Sequence, residues 1–215
     1  MDTPSTPTPP PSPTTPADAV CALRAAAEGH LTVEGQSPRR VRYVFDRRRG
    51  GLIFPMPAEA AGVGEGQLLV PDEHDPVVAA LLSLDIVPEL DGAVEIRFEI
   101  YHGRAHEAAW AIATIEALRY HGEPFDSEEL ILTDAIFEHE PGLCRELNAD
   151  PEALRAACAN LAGVEVEEPV AVGVDPDGID VRARFGIVRL GFAERAETIE
   201  RVREQIAAFT ARSRA

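Results

Sequence analysis

The first regular pattern of apolar and polar positions in the chain is helical. Val20, Leu23 and Ala27 share a face, Asp18 follows Pro16 at the start, and Gly29 offers a stop. Alternation then takes over. His30 to Glu34 alternates. From Arg40 to Phe45, Val41, Tyr43 and Phe45 lie on one side and Arg40, Arg42 and Val44 on the other. Asp46 to Gly51 reads as a turn, with Leu52 to Phe54 as the returning hairpin strand. The strongest strand signal is Val94 to His102, where Val94, Ile96, Phe98, Ile100 and His102 face one way. A helix is predicted over Ala105 to His121, so apolar all round that it belongs between layers or at a subunit interface.

Punctuation is sharper further on. Asp150-Pro151-Glu152 is a helix start, with a side-chain cap, a proline at the first position and an acid in the first turn. Leu154, Cys158 and Leu161 share that helix's face, and Gly163 ends it. Asp175-Pro176-Asp177-Gly178 is a turn between strands at Val170 to Val174 and Ile179 to Arg184. Ile187 to Leu190 adds a strand, and Ile199, Val202, Ile206 and Phe209 mark a last helix. The pattern is α+β: a strand-rich domain with one inserted helix over 18–140, then a helix, hairpin and helix over 141–215. Residues 1–17, almost all Pro, Thr and Ser, have nothing to bury and are expected to form a disordered tail.

Charge narrows the function classes. Of 215 residues 20 are basic and 37 acidic, a net −17, and every basic residue is arginine. Lysine chemistry, whether Schiff base or phosphate-loop, is therefore excluded. The acid excess argues against nucleic acid and against an anionic membrane surface as partners. With no signal-peptide pattern and no apolar run near ~18 residues, a cytoplasmic protein is expected. Cys21, Cys144 and Cys158 show no Cys-x-x-Cys spacing, so neither a zinc ribbon nor a disulfide framework is indicated.

Leu147-Asn148-Ala149-Asp150, Ala153-Leu154, Val174 to Asp180 and Val188-Arg189-Leu190-Gly191-Phe192 together resemble the C-terminal domain of haem-utilisation proteins of the HugZ type. The resemblance implies that this domain follows a split β-barrel related to the pyridoxamine-phosphate oxidases. Gly29 to Glu34, Val41 to Asp46 and Gly51 to Phe54 look like the barrel's opening strands, and Arg97 to Ala105 like a later one. It further implies a homodimer binding haem or FMN at the subunit interface, with oxidative haem degradation or flavin redox chemistry if the protein is an enzyme. The chain departs from the family pattern at three points. Pro151 stands where the motif usually has histidine, Glu59 lies where a phosphate clamp is usual, and no histidine follows His139.

The candidate chemistry is sparse. His102 and His106 are potential ligands for a haem iron or a metal, as neutral imidazoles. Their alternative is a strand-end histidine satisfied by a backbone carbonyl and an exposed histidine at a helix start. Arg40 and Arg42, on one strand face, are suited to clamp a propionate or phosphate, or to pair with the chain's own acids; Arg47, Arg48 and Arg49 read as a solvated hairpin tip. His139 reads as a loop histidine, Cys158 as core, Asn148 and Asp150 as turn and cap, and Asp175 and Asp177 as turn residues. Two functions remain: a haem- or flavin-binding split-barrel protein, or a cofactor-free dimeric binding or regulatory module of the same fold.

Overall fold

Helix α1 (Pro16–Ala26) opens the fold in the computed structural model, which describes residues 14–57, 64–107, 109–130, 134 and 136–213. Residues 1–13, most of the expected tail, lie outside these, as does Glu59. The helix begins two residues before Asp18 because Thr15 caps it. The Thr15 hydroxyl accepts from the Asp18 N–H (3.2 Å), and the Asp18 carboxylate accepts from the Thr15 N–H (2.9 Å).

Eight strands follow: β1 (Glu28–Val33), β2 (Arg39–Arg42), β3 (Val44–Asp46), β4 (Gly51–Met56), β5 (Glu65–Val70), β6 (Val78–Val87), β7 (Ala109–Tyr120) and β8 (Glu123–Asp126). They form one antiparallel sheet in the order β2-β1-β5-β6-β7-β4-β3, with β8 also on β7. Its two end strands are separated in the chain by Tyr43 alone. One residue spans only ~3.5 Å, so the sheet must curl until its ends nearly meet. The result is a split barrel with its seam at Tyr43. The Tyr43 N–H donates to the Ala27 carbonyl (2.9 Å) and its hydroxyl to the Leu23 carbonyl (2.7 Å), tying the seam to α1. Leu31, Leu52, Phe54, Leu68 and Leu82, all fully buried, fill the barrel with Val20 and Leu23.

The segment 92–121 reverses the expected order of elements. Val94 to His102 belongs to helix α2 (Gly92–His102), and Ala109 to Tyr120 is strand β7. A run alternating over nine residues also brings Val94, Phe98 and Tyr101 onto one helical face at spacings of four and three. Asp91 caps that helix by accepting from the Ala93 N–H (3.0 Å), and Gly103 (φ 78°) ends it. Phe98 and Tyr101 are buried beside Val44, Ile53 and Trp110, leaving Ile96 and Ile100 on the surface. The alanine-rich stretch lies between β6 and β4, with Ala111, Ala113 and Ile115 in the barrel core. Small side chains suit so crowded a strand, and its pairing overrides the helical preference of alanine.

The C-terminal subdomain stacks α3 (Glu140–Asn148), α4 (Pro151–Ala162) and α5 (Ile199–Ser213) on a three-stranded antiparallel sheet of β9 (Val170–Asp175), β10 (Gly178–Ala183) and β11 (Gly186–Gly191). Asp150 caps α4 as expected, accepting from the Ala153 N–H (3.0 Å). Asn148 does more than fix a turn: its amide donates to the Ala171 carbonyl (2.9 Å) and accepts from the Ala171 N–H (2.7 Å), clasping α3 to β9. Cys158 is in this second core. The whole is an α+β split barrel with an inserted helix, followed by a small α/β subdomain. Among the described residues no helix is long and apolar enough to cross a membrane.

Buried ions join the two parts. Arg47 does not lie in a solvated tip; its side chain is 2% exposed. Its Nε and Nη2 donate to both oxygens of Asp134 (2.6 Å for Nη2), and Nη1 donates to the Val174 carbonyl (2.8 Å) and lies 3.1 Å from Glu140. Glu140 also accepts from Arg97 (2.8 Å). Beyond them, Asp180 accepts from the Tyr101 hydroxyl (2.8 Å) and from Arg189 (2.9 Å), and Arg189 also reaches Asp175 (2.5 Å). Burial raises the Asp175 carboxyl, but Arg189 outweighs it and holds the group below its ordinary range. Asp180 stays above its ordinary value because burial prevails. The turn residues Asp175 and Asp177 are thus ion-pair acceptors, Asp177 for Arg195 (2.6 Å).

Candidate functional site

All four residues singled out for ligand chemistry meet at the barrel's seam. Arg40 and Arg42 point from β2, His102 is the last residue of α2, and His106 lies in the loop before β7; together they line a cleft of about 510 Å³. Arg39, Arg104, Glu107 and Phe185 border it too. A second lobe of about 380 Å³, reaching Arg182 and Arg184 of the C-terminal subdomain, shares Glu28, Arg42, His102 and Phe185 with the first. The strand pattern explains the arginines: Val41 turns into the core, so Arg40 and Arg42 must turn out.

His102 satisfies a backbone carbonyl, but from a helix end and not from a strand. Its Nε2 lies 2.8 Å from the Tyr43 carbonyl at the seam, so Nε2 carries the proton and Nδ1 the lone pair. Burial lowers its pKa first; the Tyr43 carbonyl pulls it up, and nearby Arg42 pushes it down again. The ring is therefore neutral at pH 7, with Phe98 packed at 4.9 Å between centroids. His106 is exposed.

The arginines differ in their commitments. Arg40 is ion-paired with Glu28, and Arg39 lies 3.9 Å from Glu107. Arg42 and Arg104 make no ion pair or side-chain hydrogen bond among the described residues. They leave two guanidinium groups beside an apolar patch of Pro55, Phe98 and Phe185 in an otherwise mostly charged lining. Such a patch with cations at its rim suits a flat apolar ligand carrying carboxylates or phosphates.

Among the described residues no three His, Cys, Asp or Glu side chains group to hold a bare metal ion. Two imidazoles suffice for haem, whose porphyrin supplies the remaining nitrogens. Sequence reasoning missed the contribution of Arg104 and the C-terminal wall of Phe185, Arg182 and Arg184. A hairpin tip with a phenylalanine just after two arginines, Arg182 to Gly186, was the available signal. His139, at the start of α3, and Cys158 stand apart from the cleft.

No protein-family model matches the chain, and no curated protein matches it. Among solved structures, a protein of unknown function from Agrobacterium tumefaciens superposes with a TM-score of 0.68 at 17% identity, covering 94% of this chain and all of the other. A haem binding protein from Mycobacterium smegmatis gives a TM-score of 0.44 at 18% identity, covering 94% of this chain and 98% of that one. The first of these shows a shared fold.

Proposed function

We propose that the protein binds haem in the seam cleft. The carrying observation is the convergence of Arg40, Arg42, His102 and His106, from three separate elements, on one cleft that also holds Pro55, Phe98 and Phe185. Arg42 and Arg104, free of ion pairs among the described residues, would take the propionates, with Arg40 joining when it leaves Glu28. His102, fixed by the Tyr43 carbonyl, would offer Nδ1 to the iron, or His106 its imidazole. Flavin is the alternative ligand, its phosphate held by the same arginines. Bound haem iron would supply oxidative chemistry, making the protein an oxidoreductase of the haem-degrading type; flavin would make it a redox enzyme. Residues 18–140 and 141–215 would each provide one wall. Exposed Ile96, Ile100 and Phe185 favour a homodimer, with a second copy covering this face.

The second reading is a cofactor-free dimeric binding module, favoured by the Arg40–Glu28 pair and by the engagement of His102 with the seam. Haemin and FMN titrations of the purified protein separate the two. The haem reading expects a Soret band that weakens in His102→Ala or His106→Ala and broadens in Arg42→Ala. A spectrum unchanged by either addition refutes ligand binding, and a band retained in both histidine variants refutes the ligand assignment. Light scattering that shows a monomer at every concentration refutes the dimer.

A further inference from the structure

On the barrel, away from the seam cleft, a cavity of about 370 Å³ lies among α1, the β3–β4 turn, β7 and the short 3-10 turn at Ser127–Leu130. Arg24, Arg47, Arg48 and Arg49 line it with the hydroxyl residues Thr114 and Ser127. Four guanidinium groups in one small space would repel one another unless carboxylates or a ligand offset them. Carboxylates account for part. Asp134 and Glu140 neutralise Arg47, and Asp46 lies 3.3 Å from Arg49. Glu128 also borders the cavity.

Arg24 is the exception. Its side chain is 6% exposed, its nearest carboxylate, Asp177, stands off at 3.8 Å, and its buried Nε and Nη1 have no hydrogen-bond partner. The Phe45 ring lies 4.6 Å from the guanidinium carbon. Burying a guanidinium with unmet N–H groups is costly, and an oxyanion accepting from them removes that cost. We propose that this cavity is an anion site for a phosphate-type oxyanion, held by Arg24 and Arg49 and steadied by the Thr114 and Ser127 hydroxyls. Burial holds the Arg24 guanidinium below its ordinary pKa and Arg47 lowers it further, although Asp175, Asp134 and Asp177 act in the opposite direction. The space exceeds what one inorganic anion fills, so both a free phosphate and the phosphate end of a small ester fit it.

The test is calorimetric titration of the full chain with inorganic phosphate, against chloride at matched ionic strength. Saturable binding is expected. Arg24→Gln and Arg49→Ala should each weaken it at least about tenfold, the factor that losing one charge-assisted hydrogen bond removes. Arg42→Ala, in the seam cleft, should leave it unchanged, which separates this site from haem binding. Arg49 is largely exposed, so its replacement reads out binding even where Arg24→Gln perturbs folding. Glucose 6-phosphate forms the second arm: binding tighter than inorganic phosphate assigns an ester, weaker binding assigns the free anion, and either upholds the site. Absence of saturable binding by about 10 mM, well beyond the millimolar range of weak specific sites, overturns it. So does binding lost in Arg42→Ala but kept in Arg24→Gln and Arg49→Ala.

Discussion

Arg47→Met removes the centre of the ionic junction between barrel and C-terminal subdomain. The arginine is 2% exposed, its bidentate partner Asp134 6% and Glu140 7%. Glu140 keeps Arg97, but Asp134 is left buried without its cation, and the Val174 carbonyl loses its donor. Breaking a buried pair from one side costs about 3–5 kcal/mol. An orphaned carbonyl costs about 1–3 kcal/mol more when counted alone. The two losses overlap in one network, so about 4 kcal/mol is expected in total. With a urea slope of about 2 kcal/mol/M, the denaturation midpoint should fall by about 2 M at unchanged slope. Arg48→Met is the internal comparison: Arg48 is exposed and its side chain lies over the Phe137 ring with no ion pair among the described residues, so it should move the midpoint by a few tenths of a molar at most. Adding Asp134→Leu to Arg47→Met should recover much of the loss, since an apolar pair replaces an ionic one. A midpoint for Arg47→Met no lower than that for Arg48→Met would refute the junction's role.

Three further outcomes are expected. Gly173→Ala places a Cβ 1.9 Å from the Tyr101 hydroxyl, which must give up Asp180; calorimetry should show a loss of about 2–3 kcal/mol, and a wild-type melting temperature would disprove the close approach. The folded pKa of His102 is lowered, so its contribution to stability is present above the unfolded value of about 6.5 and is lost as pH falls below it. His102→Asn should therefore flatten the slope of stability against pH just below 6.5, and an unaltered slope counts against the shift. Burial raises all three thiols, Cys144 to about 12, so alkylation at pH 8 should be slow in the native protein and fast in urea; rapid native labelling contradicts that burial.

Much of this architecture is legible residue by residue. Asp150-Pro151 announces α4, Asp175 to Gly178 turns the β9–β10 hairpin, and the outward pair Arg40 and Arg42 follows from alternation around Val41. Residues 94–121 mislead because local signals are ambiguous there. A nine-residue alternation also meets helical spacing, and the alanines of β7 take strand geometry only through β6 and β4. The ionic junction is out of local reach: Arg47 and Asp134 are 87 residues apart in sequence. Its trace in composition is the exclusive use of arginine, whose planar fork suits buried bidentate pairs better than an ammonium does. The seam cleft lies between these cases, because its histidines and arginines are visible in the sequence and their meeting depends on Tyr43 joining β2 to β3.

The buried ions also bear on the shape of the seam cleft. The cleft takes one wall from the barrel and one from the C-terminal subdomain, and Arg47 and Arg97, with the Tyr101 hydroxyl on Asp180, lock those halves together. Its aperture is thus set during folding, like a fixed gauge and not a jaw. A haem bound as proposed would therefore meet a cleft whose width is already fixed, with little reorganisation to offset its binding.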